Sequence, residues 1–317
     1  MTASEAATQT SPPDPGMVWV PGGTFVMGSD HHYPEEAPAH EVVVEGFWID
    51  RGPVTNAQWA DFVETTGHVT FVERAPDAAD YPGAKPELLV PASVVFVQPR
   101  HRVDLRNPYN WWTYVPGADW RHPQGPGSVL DGLDDHPVVH VAWEDVAAYA
   151  RWCGKDLPTE AEWERAAWGG TEGTEYAWGD RLYPGDRTMA NTWQGEFPVE
   201  NLEVDGYAGT SPVGAFPANG FGLLDMIGNV WEWTIDWYQA HGETDSPCCT
   251  AGHQRDGQAE RSFDPAFPET RIPRKVSKGG SHLCAENYCR RYRPAARMPQ
   301  GVDSSTSHLG FRCVVRG

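Results

Sequence analysis

Lys278-Gly-Gly-Ser281-His-Leu-Cys284-Ala-Glu-Asn-Tyr-Cys289-Arg-Arg-Tyr-Arg293, followed by Asp303-Ser-Ser-Thr-Ser-His-Leu-Gly-Phe-Arg-Cys313, is the stretch on which the reading of this chain turns. Two cysteines five positions apart sit among glycine, serine, tyrosine and arginine, a setting for a chemical site more than for a core. A thiolate is both a nucleophile and a soft metal ligand, and Arg290, Arg291 and Arg293 favour the charged form of a neighbouring thiol. A structural zinc needs four ligands, and His282 and His308 make no familiar Cys/His spacing with the pair. Two thiolates without nitrogen or oxygen donors suit a soft monovalent ion, which among biological metals is copper(I). A redox-active disulfide is the other reading of the same spacing.

Three further motifs stand in order before it: Val20-Pro-Gly-Gly-Thr-Phe-Val-Met-Gly28, Leu157-Pro-Thr-Glu-Ala-Glu-Trp163 and Gly222-Leu-Leu-Asp-Met-Ile-Gly-Asn-Val-Trp-Glu-Trp-Thr234. Taken with the cysteine stretch, they resemble the formylglycine-generating enzyme (sulfatase-modifying factor) family from about residue 17 to the C-terminus. The likeness weakens only in two insert-like regions, about 71–127 and 238–275. It implies an irregular, loop-rich α+β fold, distantly C-type-lectin-like, as a single domain over 17–317.

Composition narrows the class independently. Length is a soft prior on domain number, and no linker divides the middle of the 317 residues. The chain has 24 Lys+Arg against 44 Asp+Glu, a formal net charge of -20. Such a surface repels phosphate backbones and anionic lipid, so neither nucleic acid nor a membrane surface is an expected partner. Residues 1–16 are small, polar and Pro-containing, without a basic start or apolar run, and are expected to be a disordered tail and not a secretory signal. No run approaches the roughly 20 apolar residues of a membrane helix. Six cysteines are too few for a disulfide scaffold, and the expected setting is the reducing cytoplasm.

Along the chain, Met17–Val20 and Thr24–Met27 read as paired strands across Pro21-Gly-Gly23, and 41–50 supplies another strand. Thr55 with Gln58 opens a helix that Gly67 closes, and Thr159 with Glu162 opens another, closed by Gly169. Residues 144–153 form a helix stopped by Gly154, and His136–Trp143 reads as a buried strand with His136 and His140 as satisfied core histidines. Ser93–Val97 is a candidate strand, and Asn110–Val115 reads as a loop carrying adjacent indoles. After Gly170 regular structure thins out, so buried backbone groups need other partners, of which hard cations are one. There is no phosphate-binding Gly loop, H-E-x-x-H helix or G-x-S-x-G elbow.

The resemblance assigns roles to residues and implies a reaction. The cysteine of a Cys-x-Pro-x-Arg segment in an unfolded sulfatase polypeptide is oxidised to Cα-formylglycine, using dioxygen, copper(I) on Cys284 and Cys289, and an external thiol reductant. Ser281 and Trp231 match positions beside the metal, and Trp111, Tyr288, Ser305 and His308 would line the peptide groove. Two calcium sites are implied, the first on Asn191, Thr192, Asp205 and Tyr207 and the second on Asp225, Gly228, Val230 and Glu232. A family disulfide would link the Cys313 position to that of Ala150, with Cys153 one helical turn further on; a second family bridge is lost with Pro294. No role attaches to the vicinal Cys248-Cys249. Two other classes fit the same fold: an iron-dependent sulfur oxygenase, whose histidine set is not evident here, and a non-catalytic binding module.

Overall fold

The computed structural model describes residues 11–241, 259–267, 269 and 271–317. Cys248 and Cys249, and residues 1–10 of the expected tail, lie outside them. Within that tail Asp14 turns back onto the fold, 3.0 Å from Lys155 Nζ, so ordered contacts begin before Met17.

The elements in chain order are β1 (Met17–Val20), β2 (Gly23–Met27), β3 (His40–Val44), β4 (Phe47–Asp50), α1 (Asn56–Thr66), β5 (Ala92–Phe96), β6 (Trp112–Pro116), α2 (Trp143–Trp152), α3 (Glu160–Trp168), β7 (Trp231–Trp237), β8 (Arg274–Lys278), β9 (Arg297–Gly301), β10 (Leu309–Gly310) and β11 (Val314–Arg316). Few helices and short strands make this the loop-rich α+β fold expected. The capping boxes of α1 and α3 form as the sequence requires. Thr55 Oγ1 accepts from Gln58 N and Thr159 Oγ1 from Glu162 N, while Gly67 and Gly169 end the helices at positive φ.

Strand pairing departs from the reading. β1 pairs antiparallel with β4, not with β2, and β11 flanks β4 on its other edge; β2 pairs with β3. The stretch 41–50 is therefore two strands in two sheets, divided at Glu45-Gly46. Gly46 packs against Trp19, where an added Cβ would lie 2.3 Å from the indole. The expected strand 136–143 forms no ladder: it carries one isolated bridge, Pro137 to Thr55, and Trp143 already opens α2. Val138 N donates to Val54 O and His140 N to Thr306 O, and His140 takes φ 61, which no strand tolerates. Residues 112–116, read as loop, are β6, paired with β5.

The remaining sheet runs β10-β7-β8-β9, with β10 parallel to β7. Its β8 strand leads directly into Gly279, Gly280 and the cysteine loop. The main core includes Trp59, Trp163, Trp231, Trp233 and Phe311, and a smaller cluster of Trp111, Trp193, Phe197, Leu283 and Ala285 lies beside the cysteine loop. Among the described residues no helix is long and apolar enough to cross a membrane.

Candidate active site

Gly279 and Gly280 leave β8 at φ 94 and 72, and this reversal carries the chain into the thiol loop. Gly280 also has no room for a side chain: an added Cβ would lie 2.7 Å from Arg291 O and 3.2 Å from Cys284 Sγ. The loop is fastened on both flanks by backbone bonds. Gly228 N donates to Gly279 O at 3.0 Å, His282 N to Asn229 O at 3.0 Å and Trp193 N to Cys284 O at 3.0 Å. Within it, Cys284 N donates to Ser281 O and Cys289 N to Ala285 O, both at 2.9 Å, which turns the two side chains toward each other.

The sulfurs of Cys284 and Cys289 are 3.3 Å apart. That is far beyond the roughly 2.05 Å of a disulfide, so both are free thiols in hydrogen-bonding contact. Cys284 is 2% exposed and Cys289 9%. The hydrogen bond from Cys284 and the Arg291 guanidinium hold Cys289 down to about 6 against the opposing effect of burial. Burial and the neighbouring sulfur push Cys284 well above the usual thiol range. The pair is thus a thiolate that accepts from a thiol. We expect ultraviolet thiolate absorbance to grow in as pH rises through about 6, and to be missing over that range in Cys289→Ser. Onset only near the ordinary thiol pKa would contradict the assignment.

Ser281 is fully buried beside the pair: its N–H points at Cys284 Sγ at 3.4 Å and its Oγ accepts from Leu283 N. Trp231 is buried in the same apolar cluster as both cysteines, its N–H bonded to His308 O at 2.8 Å. Tyr288 is 39% exposed, stacked on Phe197 at 4.7 Å and edge-on to Trp111 at 5.2 Å. Trp111 itself is 1% exposed, which corrects its expected place in the groove wall. It precedes β6 and turns into the smaller cluster, so it supports Tyr288 and offers no surface of its own. Its neighbour Trp112 is half-buried against His308, at 4.7 Å between rings. His308 gives Nδ1 to a 2.6 Å hydrogen bond with Thr306 Oγ1, and burial lowers its pKa to about 3, so it is neutral. Ser305 is buried, its Oγ 2.7 Å from Ser93 Oγ, which ties the 303–308 segment to β5. His136 and His140 are satisfied core histidines: His136 Nδ1 meets Thr210 Oγ1, while His140 meets Ser93 Oγ and Pro123 O.

The two expected calcium loops differ in what they offer. In the first, the Gln194 side chain spans the donors: its Nε2 donates to Thr192 O at 2.6 Å and to Asp205 Oδ2 at 2.7 Å. Asn191 Nδ2 meanwhile donates to Gly209 O, and Tyr207 N caps Asp205 Oδ1. In the second, Asp225 Oδ1 is buried with no hydrogen-bond partner, and desolvation raises the carboxyl to about 6. An orphaned buried carboxylate oxygen is costly, and a bound cation removes that cost. Gly228 lies so close to Asn191 O that a Cβ would sit 2.3 Å away, while Val230 is buried. Both Glu232 oxygens are taken, by Arg312 on two nitrogens at 2.7 Å each and by Trp163 Nε1 at 2.7 Å. The second set thus leaves one orphaned oxygen, Asp225 Oδ1, while Glu232 is committed to Arg312 and Trp163, and the first has its donors spanned by Gln194. Cys153 and Cys313 are both free thiols, so no bridge joins them, and Cys153 Sγ donates to Ala150 O at 3.3 Å.

Sequence reasoning missed the far wall of the site. Glu35 bonds Arg291, and Glu36 bonds Arg293 through both oxygens at 2.6 and 2.8 Å, from a segment more than 250 positions away. No local pattern announces such a contact.

Residues 2–317 match the family described as a sulfatase-modifying factor enzyme 1-like domain. The chain belongs to that family. It is 54% identical over 301 residues to a formylglycine-generating enzyme of Mycobacterium tuberculosis, covering 94% of this chain and 97% of the relative. The formylglycine-generating enzyme of Mus musculus is 43% identical, covering 94% and 74%. A mouse relative named inactive C-alpha-formylglycine-generating enzyme 2 is 40% identical, covering 95% and 85%, so family membership alone does not establish turnover. Among solved structures, PvdO from Pseudomonas aeruginosa superposes with a TM-score of 0.61 over 94% of this chain and 93% of its own, at 23% identity, a likeness of fold. Membership of the sulfatase-modifying factor family and the convergent thiols rest on separate observations.

Proposed function

We propose that this chain is a formylglycine-generating oxidase: it converts the cysteine of a Cys-x-Pro-x-Arg segment of a sulfatase to Cα-formylglycine, with copper(I) held by Cys284 and Cys289. The observation that carries this is the buried, reduced sulfur pair at 3.3 Å, in a chain 54% identical to a formylglycine-generating enzyme. Among the described residues no group of three or more His, Cys, Asp or Glu side chains converges, so the two sulfurs stand as a two-ligand site. That donor set favours a soft monovalent ion over zinc or calcium. The copper would supply dioxygen activation beside the substrate sulfur.

The chain's own residues bind, orient and exclude water. Cys289 is a thiolate at neutral pH, so a ligand is ready without an added base. The Ser281 amide and Gly280 fix Cys284, and Trp231 packs the inner side of the site against hydrocarbon. Tyr288 offers the exposed aromatic edge on which an unfolded peptide would lie. Dioxygen accepts four electrons and oxidation of the substrate thiol to the aldehyde releases two, so an external thiol supplies the other two. Free thiols at Cys153, Cys284, Cys289 and Cys313 suit a reducing cytoplasm.

The test is to incubate the copper(I)-loaded chain with a Cys-x-Pro-x-Arg peptide, oxygen and dithiothreitol, and to read a loss of about 18 Da by mass, as sulfur is replaced by oxygen in the aldehyde. A fully loaded chain that binds the peptide and leaves its mass unchanged would make it a binding module.

We assign calcium to the second loop on the orphaned Asp225 oxygen. Without calcium, the raised Asp225 carboxyl means that the folded state holds a proton that the unfolded state has lost. Stability then falls as pH rises from about 4 to about 6. Calcium should reverse this above pH 6, raising Tm in wild type and not in Asp225→Asn. An equal calcium response in both proteins would remove the assignment.

A further inference from the structure

We propose that Arg291, held in place by Glu35 and Tyr33, is a positioning residue that supplies the counter-charge to the Cys284–Cys289 pair and so sets how tightly the pair retains a monovalent cation. This rests on the copper reading above and adds a residue to it.

Arg291 Nη1 lies 3.8 Å from Cys289 Sγ, the nearest cationic group bonded to either sulfur. Its other terminal nitrogen is bound to Glu35, and its guanidinium carbon lies 3.8 Å over the Tyr33 ring. The plate is thus gripped on one edge and on one face, which fixes the remaining edge toward the sulfur. The grip is itself anchored, since Tyr33 OH accepts from Arg290 N at 3.1 Å and Glu35 O accepts from Arg297 Nη1 at 3.2 Å.

Charge arithmetic gives this arrangement its consequence. Two thiolates and one monovalent cation carry a net charge of minus one. That charge sits at residues 2% and 9% exposed, where an unpaired charge is expensive. Arg291, whose side chain is 20% exposed like that of the Glu35 that orients it, offsets this charge because its Nη1 faces the sulfur while Glu35 holds the other terminal nitrogen, on the edge away from the pair. Residues that act on metal ligands in this way typically change affinity by about 10–100-fold.

The experiment is competition of wild type, Arg291→Gln, Arg291→Met and Arg291→Lys against a copper(I) chelator of known affinity, with the Tm of each metal-free protein measured alongside. Gln keeps a hydrogen bond to Glu35 but removes the charge, and Lys keeps the charge but loses the planar fork. We expect Gln and Met to bind copper(I) about 10–100-fold more weakly and Lys to recover most of the loss, at matched Tm. Equal affinity in wild type and Gln, or a loss in Lys as large as in Gln, overturns the proposal. If copper(I) binds wild type no more tightly than Cys284→Ser or Cys289→Ser, the copper reading itself fails and the proposal falls with it. If wild type is cysteine-dependent and Gln is unchanged, only the role of Arg291 is lost.

Discussion

Cys289→Ala is expected to lose turnover of a Cys-x-Pro-x-Arg peptide by at least about a thousandfold, the scale seen when a member of a reacting unit is deleted, while the protein stays folded. The side chain sits at the edge of the core and touches polar groups only at Cys284 Sγ and Arg291. Truncating so small a group removes one sulfur's packing, about 1 kcal/mol and a few degrees of Tm. Its chemical part cannot be shared, because no third ligand of the kinds that bind metals converges there among the described residues. Turnover assays paired with thermal melts on the same preparations check both halves. A large fall in Tm with retained turnover would make Cys289 a structural residue.

Arg293→Met should have the largest effect on stability, about 3–5 kcal/mol, because it strips a buried carboxylate of its partner. Arg293 and Glu36 are 2% and 0% exposed and meet through two parallel hydrogen bonds, with Arg293 Nε held by Arg290 O. Glu36 would be left charged in a space that water does not reach. The same ion pair fastens the 33–36 segment to the thiol loop, so its loss should also loosen the Glu35 contact to Arg291 and lower turnover. Urea unfolding measures the first effect. The double variant Glu36→Leu/Arg293→Met separates the causes, since removing both charges should recover much of the stability. A loss below about 1 kcal/mol in Arg293→Met would mean that the pair is solvated and contributes little.

What could be read in the sequence was local. Thr55 with Gln58, Thr159 with Glu162 and the closing glycines fixed two helices to within a residue, because a capping box needs partners only three positions apart. The thiol pair was legible for the same reason. Pairing was not: β1 joins β4 across 27 or more positions, and nothing in Met17–Val20 distinguishes that partner from β2. His136–Trp143 was read as a strand because burial on both sides produces an apolar run whether or not a ladder forms. Trp111 and Trp112 illustrate a finer limit. Adjacent indoles point to opposite sides once β6 begins, and which one faces the core depends on the register with β5. Glu35, Glu36 and Tyr33 entered the site wholly through tertiary contact, from a segment more than 250 positions away from the thiol loop.

The central claim is that the Cys284 and Cys289 sulfurs together hold one copper(I) ion. X-ray absorption at the copper edge, on the full chain loaded under reducing conditions, tests it most directly. The account predicts a first shell of sulfur alone, a stoichiometry of one ion per chain, and loss of that shell in both Cys284→Ser and Cys289→Ser. A shell of nitrogen or oxygen, or one that survives either substitution, would contradict it.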